Sequence, residues 1–128
     1  MRKRLLIGGV IILLLSSIIF IVWHIYDLSS DYNYATAKLD IKNRNVKIIN
    51  IGSPKISSKD KEIEMAAARY GFENIYIEKY TPQQTENGIN NYNELIETYL
   101  TIRNGSNWKT SYKREVDSIY KAGASQGN

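Results

Sequence analysis

A run of nineteen uncharged residues, from Leu5 to Trp23, lies near the start of the chain and constrains its fold more than any other feature. At about 1.5 Å of rise per residue, about twenty helical residues cross the roughly 30 Å hydrocarbon core of a bilayer once. Three basic residues, Arg2, Lys3 and Arg4, precede the run, and a polar chain follows it. The sequence therefore predicts a single membrane-spanning helix over residues 5–26, preceded by a basic flank at residues 1–4.

A cleaved signal peptide also begins with basic residues and an apolar segment. Its apolar region has about 7 to 15 residues and ends at small residues beside the cleavage site. The present run is longer, and it ends in the bulky side chains of Phe20, Val22 and Trp23. We therefore expect an uncleaved membrane anchor, and a cleaved signal peptide is the alternative.

The residues at the two ends of the span predict its orientation. Lys and Arg favour the cytoplasmic side of a span, while Trp and Tyr favour the membrane–water interfaces. The basic flank is therefore expected inside the cell, with Trp23 and Tyr26 at the opposite interface. This arrangement predicts a plasma-membrane protein that contacts the lipid bilayer and places the chain from Asp27 onward outside the cytoplasm.

Charge and residue types exclude several function classes for the chain beyond the span. From residue 27 onward, fourteen Lys and Arg stand against thirteen Asp and Glu, so most of the net charge of +4 comes from the basic flank. A nearly neutral domain does not predict nucleic-acid binding. The chain has no Cys, and its one histidine, His24, is at the membrane boundary. Nucleophilic systems that use His or Cys, transition-metal sites and bound cofactors are therefore not expected.

About one hundred residues after the span are enough for one small domain. Residues 27–37 have no apolar period, so we interpret them as a polar tether. Residues 38–121 carry the apolar periodicity of the folded domain. Residues 122–128 are small and polar, so they are expected to fray.

The pattern of the folded part predicts an α/β (α+β) domain. Alternating residues indicate strands at 46–51 and 74–80, with a hairpin partner at 38–42 as a possible third strand. Between them, a helix is expected to start near Ser57 and to end at Gly71. A strand, a helix and a strand of these lengths form a unit in which the two strands are parallel.

Two amphipathic helices are expected after the second strand. Thr81 can cap the first of them, but Gly88 would then lie inside the helix, and a start at Thr85 is the alternative. Their apolar stripes predict that the helices pack on each other and on the sheet. The stripes consist of Ile89, Tyr92, Leu95, Ile96, Tyr99, Leu100 and Ile102 in the first helix and Trp108, Tyr112, Val116, Ile119 and Tyr120 in the second.

The carboxyl ends of two parallel strands lie at one edge of a sheet, and this topology predicts a candidate ligand site. Ser53, Lys55, Thr81 and Gln84 follow the two strands and are expected side by side. Helix N-termini at such an edge offer free N–H groups that can hold an anion. Neither a glycine-rich dinucleotide fingerprint nor a P-loop is present, so capping and turn formation are the alternative role of these residues.

Two further patterns have a chemical interpretation beside a structural one. Three carboxylate pairs suit acid and base roles in sugar hydrolysis, but solvated helix faces carry carboxylates in the same way. The ten tyrosines and Trp108 suit a carbohydrate-stacking or protein-contact face, but their helical spacing favours packing. The carboxylate pairs are Glu62 with Glu64, Glu94 with Glu97, and Glu115 with Asp117.

The anchor and the lack of catalytic residue types favour a non-catalytic domain that is presented at the membrane to a protein partner, within an envelope complex. The alternative is a tethered enzyme, or a protein that binds a small ligand or carbohydrate at the strand-end edge. Exposed aromatic rings beside converging carboxylates would favour the alternative. A closed polar edge together with an apolar patch would favour partner binding.

Overall fold

The computed structural model describes residues 2–54 and 58–124. Within these residues there are five helices and one sheet of two parallel strands, which confirms the predicted mixed fold. The elements are α1 (Arg2–Ile25), α2 (Tyr34–Lys42), β1 (Lys47–Ile51), α3 (Asp60–Tyr70), β2 (Glu73–Ile77), α4 (Glu86–Asn104) and α5 (Trp108–Ala124).

The pairing of β1 with β2 confirms the predicted parallel β-α-β unit. Ile49 lies opposite Ile75, and the register is continuous along both strands. Gly71 ends α3 at a φ of 90°, a left-handed conformation that glycine adopts without strain. The chain can therefore turn directly from α3 into β2. Ser57, the expected start of this helix, lies outside the described residues.

The predicted hairpin strand at 38–42 is wrong, because these residues form the second half of α2. Asn33 caps α2: its side-chain oxygen accepts the N–H groups of Ala35 and Thr36, and the Thr36 hydroxyl accepts the N–H of Asn33. Five alternating residues fit one turn of a helix as well as a strand, and here the cap decides between them. Of the two apolar residues in the predicted strand, Leu39 is 56 % exposed and Ile41 packs against the core.

Of the two predicted starts for α4, Thr85 is confirmed and Thr81 is wrong. The Thr85 hydroxyl accepts the N–H of Gly88 at 3.1 Å, as an N-cap does. Thr81 instead forms an isolated antiparallel bridge with Gln84. The N–H of Gln84 bonds to both the carbonyl and the hydroxyl of Thr81, so the Thr81 side chain serves a turn.

Helices cover both faces of the sheet. Successive side chains of a strand point to opposite faces. On one face, Asn74 donates a hydrogen bond of 2.8 Å to the Tyr112 hydroxyl of α5 and lies in a cleft beside Ile63 of α3. On the other face, Ile49 is 3 % exposed and packs in the core with α4, which in turn packs against α2. The stripes of the last two helices contribute Ile89, Tyr92, Ile96, Leu100 and Trp108 to this buried core.

Candidate functional site

The first candidate functional element is α1, which has the length and composition of a membrane span. The most apolar 18-residue stretch of Lys3–Ile25 has a mean hydropathy of 3.0, and none of that stretch is buried inside the protein. Apolar side chains such as Phe20, which is 72 % exposed, surround the helix. A membrane span and a signal sequence both have these properties. Arg2, Lys3 and Arg4, the predicted topology determinants, lie in the first turn of α1.

Polar side chains of α4 form hydrogen bonds with the C-terminal end of α1. The Ile25 carbonyl accepts hydrogen bonds from the side-chain amides of Asn87 at 2.9 Å and Asn91 at 3.4 Å. The Thr85 hydroxyl, besides capping α4, donates to the carboxylate of Asp27. The apolar helix is therefore hydrogen-bonded to the folded domain at its C-terminal end.

Residues 27–33, the connecting segment, lie within the expected tether and contact the turn that precedes α4. The N–H of Asp31 donates to the Gln83 carbonyl at 2.7 Å. The Ser30 hydroxyl donates to the same carbonyl at 3.3 Å, and Ser30 is only 3 % exposed. Asn33 donates to the Ser30 carbonyl at 2.6 Å before α2 begins. Little free chain is left between α1 and the packed part of the domain.

A groove of about 340 Å³ lies where α1 meets α2 and α4. Two of its lining residues are Tyr26 and Tyr34, whose ring centroids are 5.5 Å apart. The Lys38 ammonium lies 4.7 Å from the centre of the Tyr34 ring, a cation–π contact. The groove therefore has two aromatic rings beside the C-terminal end of α1.

The strand-end residues of the predicted ligand site are only partly described. Gly52 donates its N–H to the Ile77 carbonyl at 2.8 Å, so the ends of β1 and β2 are adjacent, as the topology predicts. Ser53 follows Gly52 and is exposed, whereas Lys55 lies outside the described residues. An anion site that includes these residues stays a prediction.

Thr81 and Gln84, the other two residues of that predicted site, are brought together by their turn. The N–H of Thr81 bonds to the Gln84 carbonyl at 3.1 Å, and the N–H of Gln84 bonds back to the Thr81 carbonyl at 3.0 Å. Among the described residues, no hydrogen bond joins either of them to Ser53. These contacts support the turn role that the sequence left as the alternative.

One carboxylate of each candidate acid–base pair is in an ion pair. Such contacts on a solvated helix surface contribute little to stability and need no catalytic explanation. Within the described ranges, no group of three or more His, Cys, Asp and Glu side chains could hold a metal ion. The ion pairs are Glu62 with Lys59 at 2.7 Å, Glu97 with Lys109 at 2.5 Å, and Glu115 with Arg69.

Most of the tyrosines on the helical stripes serve packing. Tyr92 is fully buried and donates a hydrogen bond of 2.6 Å to the Asp40 carboxylate. Burial and the adjacent Asp40 both raise the pKa of Tyr92, so its hydroxyl keeps its proton. Burial likewise raises the pKa of Tyr112. Of the large aromatic side chains in the sheet and the turn after it, Tyr76 and Tyr80 are exposed.

The outer edge of β1 is closed by a side chain instead of a third strand. The Asn93 side chain of α4 accepts the N–H of Ile49 at 2.9 Å and donates to the carbonyl of Ile49 at 2.8 Å. A primary amide has the same donor and acceptor as a neighbouring strand would offer. Sequence periodicity gave no sign of this role, because Asn93 lies beside the apolar stripe of α4 and looks like an ordinary polar residue.

We expect Asn93→Leu to lower the free energy of unfolding by about 1 to 3 kcal/mol, since the N–H and C=O of Ile49 lose their partners. Urea denaturation of the full chain in detergent micelles measures this change. The matched control is Asn90→Leu, which alters an exposed residue of the same helix. Equal stability of the two variants would show that Asn93 does not close the edge.

No protein-family model, curated protein or solved structure matches the chain.

Proposed function

We propose that this chain is a single-pass plasma-membrane protein that presents a small, non-catalytic domain outside the cytoplasm to a protein partner within an envelope complex. The observation that carries the proposal is the pair of hydrogen bonds from Asn87 and Asn91 to the Ile25 carbonyl. These bonds connect the apolar helix to the domain, as expected for a permanent anchor.

The contacts across the end of α1 favour an anchor over a cleaved signal peptide. Cleavage after Tyr26 would remove the carbonyl that Asn87 and Asn91 share and the ring that packs on Tyr34. A signal peptide is discarded, so a mature domain has no need of side chains that bind it. Here, two elements of the domain, α2 and α4, contact the last residues of the apolar segment.

The short connection also predicts where the partner lies. Ser30 and Asp31 are hydrogen-bonded to Gln83, so the domain is held close to the end of α1 and cannot extend on a long tether. A partner must then approach within about one domain diameter of the bilayer. Proteins that share the same membrane meet this requirement most readily.

A protease experiment tests the proposed topology. When protease is added to intact cells or spheroplasts, we expect digestion of an epitope placed after Asn128, because the domain lies outside the cytoplasm. A cytoplasmic marker protein in the same sample must remain intact. Protection of the epitope until the cells are lysed would contradict the proposed orientation.

A further inference from the structure

The outer edge of β2 carries main-chain groups that have no hydrogen-bond partner in the described part of the chain. Glu73 and Ile77 bond to the β1 side through main-chain hydrogen bonds of 3.0 and 2.8 Å. Main-chain groups alternate in direction along a strand, so those of Asn74 and Tyr76, both within β2, point away from β1. This edge therefore offers alternating N–H and C=O groups to another strand.

The two edges of the sheet are treated differently. The β1 edge is closed by the amide of Asn93, whereas the β2 edge has no such closure among the described residues. Tyr76, the fourth of the five residues of β2, is 45 % exposed. Glu78 and Lys79, which follow the strand in a bend, are exposed as well. An open strand edge is a template for pairing with a further strand.

We propose that a second copy of this chain occupies the β2 edge in an antiparallel arrangement, with Tyr76 opposite Tyr76 of the second copy. The pairing extends β2 through Glu78 and Lys79, which form a bend in the single chain. In this register Glu73 lies opposite Lys79, so each end of the pairing brings opposite charges together. Ile75 lies opposite Ile77, which pairs apolar side chains on one face. The strand is thus complementary to itself in both charge and hydropathy.

The directions of the main-chain groups agree with this register. Asn74 and Tyr76 point outward within β2, and Glu78 does so once the strand is extended by the pairing. The register pairs Tyr76 with itself and Asn74 with Glu78. Residues that face each other in this way exchange both of their hydrogen bonds, giving roughly six main-chain bonds across the interface. A shift that centres the pairing on Ile75 would place Glu73 opposite Ile77 and lose the opposite charges.

The position of the anchor is compatible with the pairing. Two coplanar antiparallel strands are related by a two-fold axis perpendicular to the sheet, so each face of one copy continues into the same face of the other. The end of α1 contacts α2 and α4, which cover the Ile49 face. Both anchors therefore leave from the same side of the joined sheet. This inference rests on the proposed function, because two copies anchored in the same membrane have a higher effective concentration for each other.

Charge reversal tests the pairing in the full chain. We expect Lys79→Glu to raise the dimer dissociation constant in detergent micelles by about tenfold, because two exposed ion pairs become two repulsive contacts. The double variant Glu73→Lys with Lys79→Glu restores opposite charges and should restore the dimer. Lys113→Glu makes the same charge change on α5 and serves as the control. Sedimentation at several protein concentrations measures each constant.

Cysteine crosslinking tests the register in the membrane, since the natural chain has no Cys. Opposite residues of a hydrogen-bonded pair have Cα atoms about 5.5 Å apart, within the range that a disulfide spans. Oxidation should therefore link two copies of Tyr76→Cys. Two copies of Glu78→Cys would have Cα atoms about four residues apart, roughly 14 Å, and should not be linked.

Three results would overturn the pairing: no crosslink at Tyr76→Cys, equal crosslinking at Glu78→Cys, or a dimer that Lys79→Glu leaves unchanged. The last result would place self-association in another part of the chain. Membrane fractionation of the same samples separates this failure from a failure of the proposed function. A monomer that stays in the membrane contradicts only the pairing, whereas a domain released from the membrane contradicts the anchor.

Discussion

Replacing Trp108 with Ala is expected to lower the free energy of unfolding by about 3 to 5 kcal/mol. Trp108 is 4 % exposed at the start of α5, and its ring centroid lies 5.8 Å from that of Phe72 and 6.4 Å from that of Tyr70. Its indole N–H donates to the Thr101 hydroxyl at 3.0 Å. The substitution therefore leaves a cavity where α4 and α5 meet the end of α3, and it removes a hydrogen bond.

Urea denaturation of the full chain in detergent micelles, followed by circular dichroism, measures this loss. Trp108→Phe keeps much of the aromatic packing and loses the N–H donor, so it should cost about 1 to 2 kcal/mol. Trp23→Ala is the matched control, because Trp23 is exposed on α1. A loss below about 1 kcal/mol in Trp108→Ala would contradict the buried role of this residue and favour a surface contact.

Gly88→Ala is expected to destabilise the domain by about 1 to 3 kcal/mol, although Ala favours a helix over Gly by about 1 kcal/mol. A Cβ atom at position 88 would come within 3.0 Å of the Tyr32 carbonyl oxygen and of the Ser30 side chain. The connecting segment, residues 27–33, must then move away from α4. Position 88 therefore requires glycine because the Tyr32 carbonyl and the Ser30 side chain lie so close to it, and not because of its backbone conformation.

Two measurements separate this steric effect from helix propensity. In urea denaturation, the matched control Asn90→Ala at an exposed position of α4 should leave stability unchanged or slightly raised. In limited proteolysis, chymotrypsin should cut Gly88→Ala after Tyr32 or Leu28 faster than the natural chain, since the displaced segment loses its contacts. An increase in stability like that of Asn90→Ala, with unchanged proteolysis, would contradict the close contact.

The elements with a long or clear period could be predicted from the sequence. The parallel unit of β1, α3 and β2 follows from two short apolar strands, and Gly71 marks the end of α3. The last two helices follow from apolar residues at intervals of three and four. Five of these residues lie in the buried core, whereas Ile102, at the end of the first stripe, is 82 % exposed. In these cases local preference and burial favour the same structure.

The connection between α1 and the domain could not be predicted in the same way. Its hydrogen bonds join residues far apart in sequence, such as Ser30 to Gln83 and Asn87 to Ile25, and these polar contacts leave no periodic pattern. Asn33 with Thr36 does form a capping signal for α2, but it lies inside the segment that we expected to be a tether. The hydrogen bonds of Asn93 with the main chain of Ile49 could not be predicted from the sequence either, because one polar residue beside an apolar stripe has many possible roles.

The most direct test of the proposed anchor is the intact mass of the protein extracted from its own membrane. We expect a mass that includes residues 2–25, and we expect the protein to stay in the membrane pellet after alkaline carbonate treatment, because α1 spans the bilayer. A mature chain that begins beyond Tyr26 and is released into the soluble fraction would contradict the account.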